Sequence, residues 1–381
     1  MSTKKPTIRK PSRELIKVII FMLAMIAITV CIVVLAVSCR KEKERKELET
    51  ATVEVTTQEP TTVKAKVNHT SAEYEEAGID ELYCIPVMMY HAIADMDNAD
   101  TEYTGGNVDA DGLTRTSEAF ETDLERYYLW GYRCISLEDY VNGYIDVDFG
   151  YSPIVLTFDG GAEQAGLQGF DEEGNPIFKN NSALAIMEAF KEEHPDFNLT
   201  ATFFLNKNLF GNGTDQDTQL IQWMVENGYD IASQGWSALN FAGLEDDKLE
   251  EEIGQMYKFL SEIIPGEYVN IIAVSSDIDD ASQYDLLFEG TYDGFSYTSS
   301  AAVLQGETRD VSPFLNTFDK YNIQRVKAWD NGGEGNDITA TFDELNGGKA
   351  YVSDGDADTI VVHSYDSIYM GSTYGHETIQ Y

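Results

Sequence analysis

The sequence predicts an α/β domain built on a parallel sheet or a (β/α) barrel, set behind one apolar segment and a polar linker. Three observations carry this reading. Beyond residue 84, apolar runs of strand length alternate with helical spacings through most of the remaining chain, the signature of strand–helix–strand crossovers. Apolar residues make up 43% of the 381 and aromatic residues 12%, enough to fill a core. Residues 18–38 form an uncharged run of 21, close to the ~20 helical residues that cross a bilayer core.

The elements follow in order. Residues 1–17 are a basic tail, predicted to be cytoplasmic. The run at 18–38 is apolar on every face, which suits a transmembrane helix better than a one-sided core helix. It also exceeds the ~7–15 apolar residues of a cleaved signal peptide. Basic residues flank both of its ends, so the positive-inside rule decides little. The acidic domain that follows is placed outside, giving a single-pass cell-membrane protein with an extracellular domain. Ala36-Val-Ser-Cys39 is similar to a lipoprotein box, so a lipid anchor stands beside the uncleaved helix. Residues 39–80 are charged and Thr-rich with few large apolar side chains, and read as a flexible tether. The folded domain is predicted over 81–381.

Charge narrows the partners. The chain holds 26 basic and 66 acidic side chains, for a net −40. Because the first 50 residues carry 11 of the basic side chains, residues 51–381 stand near −46. Such a body repels nucleic acid and anionic polymers. Cys84 and Cys134 are the two cysteines of the domain, too few for a disulfide scaffold or a Cys-rich zinc module; a bridge between them and two free thiols both stay open.

Within the domain, strands are predicted at 85–90, 133–136, 154–158, 201–205, 229–232, 271–274, 295–297 and 359–362. Helices are predicted at 117–129, 181–190, 218–226 and 246–263, from apolar spacings such as Phe120, Leu124 and Tyr127. Chemistry in such folds gathers at the C-terminal strand ends. There the sequence places Tyr90-His91, Asp159-Gly160-Gly161, Gln234 with Trp236-Ser237, and His363. Asn107-Val-Asp-Ala-Asp-Gly112 with Glu118 has calcium-loop spacing, but its flanks are not paired helices and a solvated acidic loop is the favoured reading.

In that order these motifs resemble the polysaccharide deacetylase (NodB-homology) family. Ile85-Pro-Val-Met-Met-Tyr-His91 is similar to its opening strand, and Thr157-Phe-Asp-Gly-Gly161 stands where the family has Thr-Phe-Asp-Asp-Gly. Asn227-Gly-Tyr-Asp-Ile-Ala-Ser-Gln-Gly-Trp-Ser-Ala238 stands at the second motif, usually Gly-Asn-His-Thr-Trp-Ser-His. Tyr321-Asn-Ile-Gln-Arg325 resembles a later Arg-containing strand, and Ile360-Val-Val-His363 the last motif. The resemblance implies a distorted (β/α) barrel and hydrolysis of acetylated carbohydrate by a divalent metal such as zinc, with a carboxylate base and a histidine acid.

Carried over by position, the base is Asp159 and the acid His363, while Tyr90, His91, Trp236 and Arg325 are candidates for the substrate groove. The metal positions become Gly160, Gln234 and Ala238. None of these is a histidine or carboxylate, so no resident metal is expected. Three readings follow: a degenerate deacetylase that binds a carbohydrate polymer or a partner, an active deacetylase with substitute ligands, or a metal-free hydrolase using Asp159 and His363.

Overall fold

The computed structural model describes residues 69–95, 106–109, 111–161, 165–237, 240–274, 281–305, 308–330 and 337–381. The tail, the apolar run at 18–38 and most of the tether lie outside the described residues, as do Ala238 and 275–280. Among the described residues no helix is long and apolar enough to cross a membrane.

The folded unit begins earlier than residue 81. Helix α1, Ser71–Ala77, starts at a capping box in which Thr70 and Glu73 bond reciprocally, and ends at Gly78 in the left-handed conformation. Tyr74 is buried against Ile79 and Val361, and His69 stacks on Phe149 at 4.0 Å. One aromatic anchor and two caps hold a segment whose composition reads as linker.

The centre is a curled parallel sheet. Its strands are β1 (Val87–Tyr90), β2 (Tyr132–Cys134), β3 (Ser152–Asp159), β4 (Thr202–Leu205), β5 (Asp230–Ser233), β6 (Ile271–Val274), β7 (Ala301–Leu304) and β8 (Val326–Lys327). They run in the order β7-β6-β5-β4-β3-β1-β8, with β2 also paired to β3. The expected strand at 85–90 is broken at Pro86, which has no N–H to give. Its carbonyl accepts from Val155, and Cys84–Ile85 turn away to pair antiparallel with Asp310–Val311.

Alternation along each strand divides the core. Val87, Val155, Phe204, Ala232, Ala273 and Val303, one from each of six strands, share a single buried cluster, around which the sheet curls. Their neighbours Met88, Leu156, Phe203 and Ile231 face a second cluster. Helices α2 (Ser117–Leu129), α4 (Ala183–Glu193) and α5 (Thr214–Glu226) supply the other side of it. Ile272 and Ala302 pack on Leu249 and Ile253 of α6 (Asp246–Ile263). Short α3 (Leu137–Asn142), capped by Ser136, closes one end of the interior with Leu137 and Tyr140.

Residues 320–327 link the ends of the sheet. Ile323 pairs with Val303 of β7, and Val326 and Lys327 pair with Met88 and Met89 of β1. Two expected strands lie off this sheet. Phe295–Thr298 forms a hairpin with Glu289–Tyr292. The strand β9 (Thr359–Val362) pairs with β10 (Glu377–Gln380) while sending Ile360 and Val362 into the interior cluster. Cys84 and Cys134 are free thiols.

Candidate functional site

Period-two alternation places Asp159 on the face of β3 that carries Val155 and Thr157. Its carboxylate therefore enters the interior at the C-terminal mouth of the sheet. Arg325, from the linking segment, meets it there with Nη1–Oδ1 at 2.6 Å and Nη2–Oδ2 at 2.7 Å. The same guanidinium donates to Thr157 Oγ1 at 3.1 Å and, through Nε, to the Leu304 carbonyl at 2.7 Å. Arg325 is fully buried, so this fork-to-fork pair works in a low dielectric. Burial alone would raise the Asp159 pKa, but the Arg325 charge and hydrogen bonds, helped by His91, hold the carboxyl below its ordinary value.

His91 continues the inner face of β1, with Nε2 3.8 Å from Asp159 Oδ2. Burial pushes its pKa down, and Arg325 and Lys327 push the same way against Asp159. The imidazole is thus held neutral, with one donor and one acceptor nitrogen. Arg325, expected to line the groove, is instead the buried counter-ion of Asp159. Tyr90, also expected there, is a core residue: its hydroxyl donates to Asp123 at 3.1 Å and lies 2.9 Å from Tyr127 Oη. Its side chain leaves the strand on the helix-covered face, among Phe120 and Phe158.

The turn after β3 is a two-glycine device. Gly160 has φ +81°, where a side chain is strained, and its N–H donates to the Phe204 carbonyl at 2.9 Å. A Cβ on Gly161 would lie 2.3 Å from the Leu209 carbonyl oxygen. Gln234 follows Ala232 on the interior phase of β5, half-buried. Trp236 leans away from the interior: its ring meets Phe259 edge-on at 5.6 Å and packs on the outer cluster.

Glu252 was missed by motif reading. It is fully buried on α6, accepts the Ser237 N–H through Oε2 at 2.7 Å, and gives its backbone carbonyl to the Trp236 N–H at 2.8 Å. Lys248 Nζ sits 3.3 Å from its other carboxylate oxygen. A signal did exist, since Glu252 falls in the apolar phase of α6 between Leu249 and Met256.

His363 is not brought to Asp159. On β9, Ile360 and Val362 face inward while Val361 meets Tyr74 and Ile79 on the outer side. His363 continues that outer phase, 3.1 Å from Tyr381 Oη and stacked on Tyr365 at 4.8 Å. In the 107–112 loop, Asn107 accepts from Arg115 and Asp109 from the Leu113 N–H, so these two oxygens tie the loop to the segment that follows it.

The donors at the mouth do not fit a zinc-like ion, which takes imidazole, thiolate or carboxylate. Position 160 has no side chain, Gln234 brings a neutral amide, and both Asp159 oxygens are engaged by Arg325. Among the described residues no group of three or more His, Cys, Asp or Glu is arranged to hold a metal.

Residues 147–284 match the family profile described as polysaccharide deacetylase, a span from just before β3 to just past β6. No curated protein matches the chain. Among solved structures it is similar to the Streptococcus pyogenes deacetylase PplD in complex with acetate, at 14% identity over 66% of this chain and 94% of that one, TM-score 0.46. It is also similar to a polysaccharide deacetylase from Bacillus cereus, at 18% identity over 70% and 69% of the two chains, TM-score 0.48. A third is IcaB from Ammonifex degensii, at 11% identity over 65% and 93%, TM-score 0.42.

Proposed function

We propose, from the premise that this chain belongs to the polysaccharide deacetylase family, that it is a cell-surface member which binds a carbohydrate polymer without deacetylating it. The family acts on polysaccharide and ordinarily uses a divalent metal. The observation that carries this reading is the turn at Gly160. Where the family's metal aspartate would stand, the backbone is left-handed and carries no side chain, and the neighbouring carboxylate is already paired with Arg325. Loss of Lewis-acid stabilisation, several kcal/mol at ~1.36 kcal/mol per decade, slows such a hydrolysis by on the order of 10³ or more.

What remains suits neutral sugar hydroxyls. Neutral His91 and the Gln234 amide each offer both donor and acceptor at the mouth. In this reading residues 18–38 anchor the chain in the membrane and the domain faces outward, a placement that rests on the sequence alone. One observation favours a second reading, an active enzyme with substitute ligands: His91 and Asp159 stand side by side at 3.8 Å and supply one imidazole and one carboxylate. The acid–base pair of Asp159 and His363 is not proposed, because His363 lies on the outer face of β9.

Elemental analysis after dialysis against zinc, together with incubation with acetylated chitin or xylan oligomers, separates the two. The expected result is oligomer binding without stoichiometric zinc and without acetate release. Stoichiometric zinc that disappears in His91→Ala, or acetate release, overturns the binding reading in favour of the enzyme.

A further inference from the structure

A groove of about 700 Å³ lies at the end of the sheet opposite the Asp159 mouth. Strand β7 joins the two places. At its C-terminal end the Leu304 carbonyl accepts from Arg325 Nε. At its N-terminal end the Ala302 N–H donates to the Lys320 carbonyl at 3.0 Å, and just before it the Ser299 N–H donates to the Phe288 carbonyl at 2.9 Å. Phe288 closes the helix Ala281–Phe288. The hairpin of Glu289–Tyr292 and Phe295–Thr298 follows it and leads into β7.

Alternation along the hairpin sets what the groove presents. Glu289 pairs with Thr298 and Thr291 with Ser296, so these four side chains share one face. All four are exposed and line the groove. Tyr297 leaves on the other face, where it is buried and donates its hydroxyl to the Leu286 carbonyl at 2.6 Å. It passes so close beneath the hairpin that a Cβ on Gly290 would lie 2.3 Å from its oxygen. The Thr291 N–H donates to Glu250 Oε1 at 3.3 Å and fixes the hairpin to α6. Aromatic surface comes from Phe288 and Tyr321, both half-buried and both lining the groove, with ring centroids 4.1 Å apart.

This mixture selects a class of ligand. Carboxylates of Glu250, Asp285 and Glu289 line the same groove and repel an anion. A wholly apolar ligand would strip water from the hydroxyls and carboxylates and return no hydrogen bond. A sugar ring answers both demands. Its edge hydroxyls donate to carboxylates and exchange hydrogen bonds with Thr and Ser, while its C–H faces lie on aromatic rings. The volume also falls within the ~300–1,000 Å³ of sites that take small ligands. We propose that this groove is a second carbohydrate-binding site, taking neutral, hydroxyl-rich sugar units at the end of the sheet away from Asp159. The site stands on the groove and its side chains; the polymer as source of those units rests on the carbohydrate-binding reading above.

Calorimetric titration of the full-length chain with xylotetraose and with the tetramers of N-acetylglucosamine and of glucosamine tests this. The parent is compared with a mouth variant, His91→Ala with Gln234→Ala, and each is combined with changes in the groove. Tyr321→Ala removes a ring. Thr291→Val with Thr298→Val removes two hydroxyls but keeps β-branched residues on the strands, so it reports on the groove even if the first variant unfolds. Each groove change is expected to weaken a neutral tetramer by about tenfold in the mouth-variant background. Neutral-sugar binding that is the same with and without the groove changes overturns the groove; if it is lost in the mouth variant, the mouth alone binds sugar. Binding lost with the groove changes and untouched by the mouth variant upholds the groove and overturns the mouth as the carbohydrate site. Binding of the glucosamine tetramer alone overturns the assignment to neutral sugar, and no binding of any tetramer overturns both sites.

Discussion

Asp159 and Asp80 are both removed from water, yet the protein pushes their carboxyl groups in opposite directions. At the mouth of the sheet, Arg325 meets both oxygens of Asp159 and is itself held by Thr157 and Leu304; the carboxyl is held low. At the C-terminal corner, Asp80 has one backbone donor and a buried Oδ2; burial and then the Asp366 charge push the carboxyl up. Burial acts alike on the two, so the difference lies in where a cation comes from. The mouth receives its cation from the segment that links the sheet ends. At the corner no lysine or arginine pairs with Asp80 among the described residues, and His363 is the one titratable cation that opposes the shift.

Removing the cation from the mouth should give the largest effect. Arg325→Met takes the guanidinium from a largely buried Asp159 and leaves His91 at 3.8 Å beside it, and breaking a buried pair costs about 3–5 kcal/mol. Chemical denaturation should show a loss of that size, with Asp159→Asn in the same background recovering part of it. A loss below about 1 kcal/mol would mean that the pair behaves as an exposed one and that the contrast with Asp80 does not hold.

These two regions also differ in how far the sequence reveals them. The first six strands of the sheet and the position of Asp159 were legible, because parallel strands buried on both faces read as short apolar runs and a motif marks the end of β3; Ala301–Leu304 was not among the expected strands. The pairing of Arg325 with Asp159 was not, because it joins residues 166 apart in sequence through a segment with only two residues of regular strand. His363 and Tyr90 lie away from Asp159 for a related reason. A motif fixes the end of a strand, but a shift of one position decides which face its side chain leaves. The corner was hidden altogether, since α1 rests on Tyr74 and its caps within a stretch that composition assigns to a tether.

The next effect is smaller and of opposite sign. Asp80→Asn keeps an acceptor for the Leu82 N–H and removes a charge that burial and Asp366 both disfavour. It should stabilise the protein at neutral pH by about 1–2 kcal/mol, the size of one relieved buried polar group. The pH dependence follows from the direction of the shift. A carboxyl raised on folding binds its proton more tightly in the native state, so its cost is absent below the unfolded value near ~3.9 and grows as pH rises through the folded one. The gap between variant and parent should therefore close on acidification. Asp159, held low, behaves in reverse: its contribution is full at neutral pH and is lost only as pH falls through its folded value. Melting curves of both proteins from neutral pH to pH ~4 check this; a gap that widens in acid would place the unfavourable carboxylate elsewhere.

The smallest effect comes from making the mouth resemble the corner. Gly160→Asp brings a second carboxylate beside Asp159 at a backbone position of φ +81°, where a side chain costs about 1–2 kcal/mol and Asp less than most. Gly160→Asn carries the same backbone strain without the charge, so the difference between the two variants isolates the electrostatic part. That part should be slight, because Arg325 already neutralises Asp159 and the new side chain sits half-exposed at the turn. Zinc then gives the contrast its sharpest form. If His91 and a carboxylate at 160 together make a usable ligand set, zinc should raise the melting temperature of Gly160→Asp and leave Gly160→Asn unmoved. A null response in both would mean that the left-handed turn points the new carboxylate away from the mouth, so that backbone geometry as well as residue identity keeps zinc from this site.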